Sequence, residues 1–136
     1  MAIRLRSPMR ENMIYAEAGA AILDGQLIME DTGAKPIAAE FADTDLLGLS
    51  IGPCASGKTA KIYPVTNAVL EIDYYSSATA TTLADTDIGA TFDINVTSGD
   101  MTLDLDDTTG FLTVIGYDND AKVAYVKCQA ADVQLA

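Results

Sequence analysis

The chain of 136 residues contains no histidine and no tryptophan, and these absences remove several kinds of active site. Without histidine, neither a Ser-His-Asp or Cys-His nucleophile system nor a histidine-ligated metal site can form. The two cysteines, Cys54 and Cys128, do not form the CxxC pair of a structural zinc site, and the sequence leaves open whether they bond to each other. These absences sharply narrow the enzyme classes that remain possible, and we expect no catalytic residues, no metal and no cofactor.

Basic residues are also few, since 8 Lys and Arg stand against 20 Asp and Glu and the net charge is −12. A surface with this excess of acidic residues lacks the positively charged patch that binds nucleic acid, and it is repelled by anionic membranes. No apolar run reaches the roughly 18 residues of a membrane-spanning helix, and the first residues lack the apolar stretch of a secretion signal. We expect no nucleic-acid partner, no membrane partner and a cytoplasmic site of synthesis with reduced cysteines.

The few basic residues are unevenly placed. The first ten residues, MAIRLRSPMR, contain three arginines and no acid, whereas the remainder is strongly acidic. We interpret residues 1–13 as an extended basic N-terminal arm and residues 14–136 as a single β domain. An unanchored, disordered terminus is the alternative. The apolar residues interspersed among the arginines favour a docking role, because solvated tails usually lack such groups.

Apolar and polar residues alternate over short stretches, which is typical of half-buried strands. The clearest stretches are LLGLSI (46–51), AVLEIDYY (68–75), ATFDINV (90–96) and MTLDLDD (101–107). In the first of them, alternation predicts that Leu47, Leu49 and Ile51 share one face. Turn sequences rich in Gly, Asp and Asn separate the stretches. The pattern predicts an all-β fold, a small antiparallel β-barrel or β-sandwich (β-tulip, OB-like or SH3-like), with at most one short helix, a single turn within 82–90.

One motif is typical of a different fold, because GPCASGKT (52–59) matches the phosphate-binding pattern G-x-x-x-x-G-K-[ST]. That loop functions only where a helix begins at its Lys-Ser/Thr and directs backbone N–H groups at the phosphates. Here AKIYPVTN follows, with Pro64 and β-branched residues, so we predict a strand after Thr59. A nucleotide-binding protein is therefore a remote alternative, and Lys58 is expected to be solvated.

Acidic clusters raise a second possibility, calcium binding. DTDIG (85–89), DLDD (104–107) and DND (118–120) share Asp-x-Asp spacing, but none continues with the further oxygen ligand and the bidentate Glu of a calcium loop. We interpret these aspartates as turn-forming and solvating residues. A calcium site assembled from distant loops remains an alternative, as does a pair of carboxylates for glycoside hydrolysis, although no aromatic sugar platform is evident.

The stretches PVTNAVLEIDYYSSATATTLADTDIGATFDI (64–94) and MTLDLDDTTGFLTVIGYDNDAKVAYVKC (101–128) resemble capsid decoration (cement, head-stabilising) proteins of tailed bacteriophages. The shared pattern is an apolar strand, an Ala/Thr-rich loop and the passage T-x-A-D-x-x-x-G-x-x-F/Y into the next strand. The resemblance covers residues 60–128, and the loop GPCASGKT is a departure from the family's pattern.

This resemblance implies a non-enzymatic virion structural protein, made in the host bacterial cytoplasm and located on the capsid exterior. Its implied partner is the major capsid protein of the same phage, and its implied state is a homotrimer. The implied arm is mobile when free and adds a strand to the shell. The candidate capsid-binding residues are Ile3, Arg4, Leu5, Arg6, Met9 and Arg10. The alternative in another class is a phage tail or surface module that recognises host glycans, in which residues 1–12 have no role.

Overall fold

The structure is a computed structural model that describes residues 3–7, 12–30, 36–39, 46–66, 68–75, 82–108 and 110–128. It confirms the all-β prediction. Eleven strands and one 3₁₀ turn, Asp85–Asp87, make up its regular structure in these ranges, and no helix there is long and apolar enough to cross a membrane. The strands are β1 Arg4–Leu5, β2 Ile14–Glu17, β3 Leu27–Glu30, β4 Pro36–Ala38, β5 Leu46–Ser50, β6 Thr59–Pro64, β7 Leu70–Tyr75, β8 Thr91–Thr97, β9 Asp100–Asp104, β10 Leu112–Asp118 and β11 Val123–Cys128.

Five of these strands form a closed barrel in the order β7-β11-β10-β8-β9, and a parallel pairing of β9 with β7 closes it. The β8–β9 hairpin turns through Ser98 and Gly99, whose positive φ angles of 50° and 84° match the two-residue turns that suit twisted strands. At the β10–β11 turn, the Asp118 carboxylate accepts hydrogen bonds from the backbone N–H groups of Asp120 and Ala121 at 3.0 and 3.2 Å. The predicted aspartate-rich turns therefore act through local side-chain capping.

The remaining strands form an antiparallel sheet in the order β2-β6-β5-β3-β4. A glycine allows its two central strands to approach closely. A Cβ atom added to Gly48 of β5 would lie 2.1 Å from the carbonyl oxygen of Tyr63 in β6, a distance that real Cβ atoms do not show. No other residue fits position 48 without separating the two strands.

A single hydrophobic core joins the barrel to this sheet. Barrel residues such as Leu70, Phe92 and Leu103 belong to the same buried cluster as Leu27 and Leu49 of the sheet. The alternation predicted for AVLEIDYY and MTLDLDD is confirmed, because the core cluster includes every second residue of each stretch. The core therefore fills the space inside the barrel and continues to one face of the second sheet.

The predicted common face of Leu47, Leu49 and Ile51 is confirmed for Leu49 and Ile51, which both pack with the main core, and is wrong for Leu47. Leu49 packs in the main core, whereas Leu47 belongs to a second, smaller cluster with Ile22 and Ile62 on the opposite face of the sheet. The cause is an irregularity in the β3–β5 ladder: Gly48 pairs with Ile28, but the next pair joins Leu46 with Met29, so Leu47 is an extra residue. One inserted residue reverses the alternation that follows it.

Candidate docking surface at the N-terminal strand

The described part of the N-terminal segment lies on the barrel. Ile3 is only 3% exposed and belongs to the main core, while its N–H donates to the carbonyl of Gly25 at 2.8 Å. β1 then pairs antiparallel with β7, and Leu5 packs against the core. Past the strand, the N–H of Arg6 donates to the Val69 carbonyl at 2.8 Å. The segment 3–7 is thus held by one buried side chain and by backbone pairing.

The two arginines of this segment point to the outer surface, where acidic residues of β7 meet them. Arg4 forms an ion pair with Glu71, and its guanidinium also lies 3.7 Å from the Asp73 carboxylate. Arg6 is more exposed, with 54% of its side chain accessible, and lies 3.9 Å from the second oxygen of Glu71. Because the Arg6 contact with Glu71 is long and solvated, it contributes little to stability. Arg6 therefore keeps most of its hydrogen-bonding capacity for another partner.

An aromatic ring supports the Arg6 guanidinium. The guanidinium carbon lies 5.2 Å from the centre of the Tyr125 ring in β11, within the range of a cation–π contact. The Ser7 hydroxyl accepts a hydrogen bond from the Val69 N–H at 3.0 Å, which leaves the hydroxyl proton available as a donor. Arg6 and Ser7 are thus fixed as two polar groups at the rim of one concavity.

That concavity has a volume of about 360 Å³ and is lined by Arg6, Ser7, Val69, Ile115, Gly116 and Tyr125. A bulge in β10 creates one wall. Val114 pairs with Val126 and Gly116 with Tyr125, so Ile115 is the extra residue and its side chain is 41% exposed. The combination of an apolar wall with an arginine and a hydroxyl at the rim suits a ligand that carries an apolar group beside a carboxylate. We name this concavity the Arg6 pocket.

The structure separates the sequence-predicted docking residues into three groups. Ile3 and Leu5 pack inward, Arg4 and Arg6 lie on the surface, and Met9 and Arg10 lie outside the described residues. β1 adds its strand to β7 of its own chain. Sequence reasoning did not identify Tyr125, Ile115 or Val69 as part of this surface. The only signal for them was the position of aromatic and β-branched residues on strands, and it does not show which strands are neighbours.

The loop GPCASGKT lacks the geometry of a phosphate site. Thr59 begins β6, which confirms the predicted strand after the motif. Several backbone N–H groups of the loop already have acceptors within the chain: that of Gly52 donates to Asp24 at 2.7 Å, that of Cys54 to Ile22 at 2.8 Å and that of Gly57 to Ala18 at 2.9 Å. An anion cradle needs these donors unoccupied.

Aspartates of the acidic stretches lie close to two tyrosine hydroxyl groups. Asp85 accepts a hydrogen bond from the Tyr117 hydroxyl at 2.8 Å, and this bond raises the pKa of Tyr117. Burial raises the pKa of Tyr74, and the charges of Asp118 and Asp120 add to the shift. Within the described ranges, no group of three or more Cys, Asp or Glu side chains is placed to hold a metal ion.

Comparison with known proteins does not assign the chain to a family. Neither a scan against protein-family models nor a search of curated proteins returns a match to the chain. What the fold defines is a class, a small all-β protein with a closed five-stranded barrel and a second antiparallel sheet. The surface chemistry at the N-terminal strand is therefore the best guide to function.

Proposed function

We propose that this protein is a non-enzymatic virion structural protein that binds the outer surface of an expanded tailed-phage capsid and stabilises it. The observation that carries the proposal is the Arg6 pocket: a cationic, partly apolar concavity on a chain whose net charge is −12. The all-β barrel and the resemblance of residues 60–128 to capsid decoration proteins support the same function. The proposed partner is the major capsid protein, and the proposed location is the capsid exterior.

In this proposal, the Arg6 pocket receives an acidic segment of the shell. A carboxylate of the capsid protein would pair with the Arg6 guanidinium, and a neighbouring apolar side chain would pack against Ile115, Val69 and the Tyr125 ring. Tyr125 holds the guanidinium from one face, so little side-chain entropy remains to be lost when the pair forms. Residue contacts at one site are few, so strong attachment would come from several copies acting together, as in a homotrimer.

The ordered state of residues 3–7 changes the expected mechanism of the arm. The resemblance implies an arm that becomes ordered on the shell, which costs conformational entropy at the moment of binding. Here Ile3 is already buried and β1 is already paired, so this part of the segment would meet the capsid in its final conformation. Residues 1 and 2 and 8–11 lie outside the described part of the chain.

The test is co-sedimentation with expanded, undecorated heads, comparing the wild type with Arg6→Ala. We expect saturable binding by the wild type and an affinity lower by at least about tenfold for Arg6→Ala, since loss of an interface arginine commonly costs more than about 1.4 kcal/mol. Lys122→Ala is the matched control, because Lys122 is an exposed cation on the β10–β11 turn that does not line the pocket. Equal loss in both variants would show that only overall charge matters. No binding by the wild type would remove the proposal and favour the glycan-recognition alternative.

A further inference from the structure

The outer edge of β2 differs from the other strand edges of the described chain. Within those residues, β2 and β4 are the two edges of the second sheet, and β1 lies at the edge of the barrel sheet. β4 is three residues long and begins with Pro36, and β1 is two residues long and carries Arg4. Short length, proline and charge are the means by which proteins prevent edge strands from pairing with other chains. β2 has four residues, Ile14–Glu17, and includes neither a proline nor a lysine.

The hydrogen-bond register shows which backbone groups of β2 face outward. The carbonyl of Lys61 in β6 accepts from the N–H of Ile51 at 2.9 Å, so the backbone groups of Lys61 face β5. Tyr15 lies directly opposite Lys61 in the β2–β6 ladder, so its own N–H and C=O face away from β6. The N–H of Ala18 donates to the Lys58 carbonyl at 2.8 Å, which fits the same alternation. No described strand pairs with β2 on its outer side.

Side chains and charge at this edge favour contact with another protein surface. The Tyr15 side chain is 62% exposed, the highest value among the large hydrophobic residues of the described chain. Lys58 and Lys61 are exposed nearby, and Glu17 is the single acid of β2. In a chain of net charge −12, this edge is a region where cations outnumber acids. Two copies that meet here bring fewer carboxylates together than contact between their acidic surfaces elsewhere would, which lowers the repulsion between them.

We propose that β2 is a self-association edge, at which two copies pair antiparallel about a two-fold axis at Tyr15. In that register, Tyr15 and the partner's Tyr15 exchange both backbone hydrogen bonds, and Met13 lies opposite the partner's Glu17. The arrangement is self-complementary, as a two-fold interface requires. It joins the second sheet of one copy to the second sheet of the other, so that they form one continuous sheet. The inference does not depend on capsid binding.

The proposed dimer is weak. Pairing of one four-residue strand buries less than the roughly 1,000 Å² that stable interfaces usually need, so association must depend on protein concentration. Sedimentation velocity from about 10 μM to about 1 mM covers the affinity range of such contacts. We expect a reversible shift from monomer to dimer for the wild type over this range. A monomer at every concentration, or a trimer without a dimer, would overturn the proposal.

Two variants at one position isolate the backbone contribution. Tyr15→Pro removes the aromatic ring and, of the backbone groups, only an outward N–H, and it leaves the β2–β6 bonds in place, because proline is tolerated on edge strands. Tyr15→Thr removes the same aromatic ring and keeps the N–H. We expect the dimer dissociation constant to rise at least about tenfold for Tyr15→Pro relative to Tyr15→Thr, since the two central hydrogen bonds are lost. Equal dimerisation by the two variants would show that the strand edge is not the contact.

A measurement on the wild type keeps the inference testable if Tyr15→Pro does not fold. Hydrogen exchange should show that the Tyr15 amide exchanges rapidly at low concentration and is protected at high concentration, because only the dimer provides its acceptor. The Ala16 amide faces β6 and should be protected at both concentrations. Exchange at Tyr15 that does not change with concentration would contradict the proposed pairing.

Discussion

Replacement of Ile3 by alanine tests whether the N-terminal segment belongs to the folded core. Ile3 is 3% exposed and packs in the main cluster. The substitution removes three carbon groups, each worth about 0.8 kcal/mol on burial, and leaves a partly unfilled cavity. We expect a loss of about 3 kcal/mol in the free energy of unfolding, within the usual 2–5 kcal/mol for such changes. For a chain of this size, that corresponds to a fall of about 10 °C in the melting temperature.

The assay is urea unfolding followed by circular dichroism, with Ile3→Val as the graded control at a cost of about 1 kcal/mol. The sequence-based view of residues 1–13 as a separate docking arm leads to a different expectation: deletion of residues 2–12 should leave the melting temperature almost unchanged. A loss below about 0.5 kcal/mol for Ile3→Ala, the range of surface substitutions, would support that view and refute the reasoning from burial.

Three further predictions concern other parts of the molecule. Gly48→Ala should destabilise by several kcal/mol or prevent folding, because the new Cβ would lie 2.1 Å from the Tyr63 carbonyl oxygen; soluble expression and urea unfolding measure it. The raised pKa of Tyr74 means that the folded state favours its neutral hydroxyl, so stability is fully present below pH about 10 and falls as pH rises above it. Tyr74→Phe, which also loses the hydrogen bond to Asn119, should show a weaker decline between pH 9 and 11 by unfolding measurements, and an equal decline would contradict this. Mg-ATP should not shift the melting temperature of wild type or Lys58→Ala; a shift that Lys58→Ala abolishes would restore the nucleotide hypothesis.

The local features of the fold could be predicted from the sequence. Alternation in 68–75 and 101–107 identified strands and their buried faces, and the passage 82–90 was expected to contain one helical turn, found as the 3₁₀ turn Asp85–Asp87. The residues after Thr59, which include Pro64, predicted a strand at the position where a phosphate-binding loop would be followed by a helix, and β6 lies there. Each of these depends on side-chain period or on backbone chemistry within a few residues, which a single sequence carries directly.

Features that depend on partners far away in sequence could not be predicted. Alternation placed Leu47 and Leu49 on one face, and an inserted residue in the ladder to β3 separated them. Nothing in AIRLR distinguishes a strand that pairs with another protein from one that pairs with β7 of its own chain. The Arg6 pocket requires β1, β7, β10 and β11 to be neighbours, and strand order is a global property. The fold class could therefore be predicted from the sequence, whereas only some residues of the candidate site could.

The position of β7 has a consequence for the way in which the chain folds. Its backbone pairs with β1 from the start of the sequence, with β11 from near its end and with β9 in parallel orientation. The Arg4–Glu71 contact alone spans 67 residues. Proteins dominated by such distant pairings fold slowly, in milliseconds to seconds, because loop closure precedes most of the stabilising contacts. During synthesis, β7 emerges long before β11, and until β11 follows, one edge of β7 and its apolar face lack their partners, a state prone to aggregation. Productive folding of the barrel must therefore wait until β11 has left the ribosome.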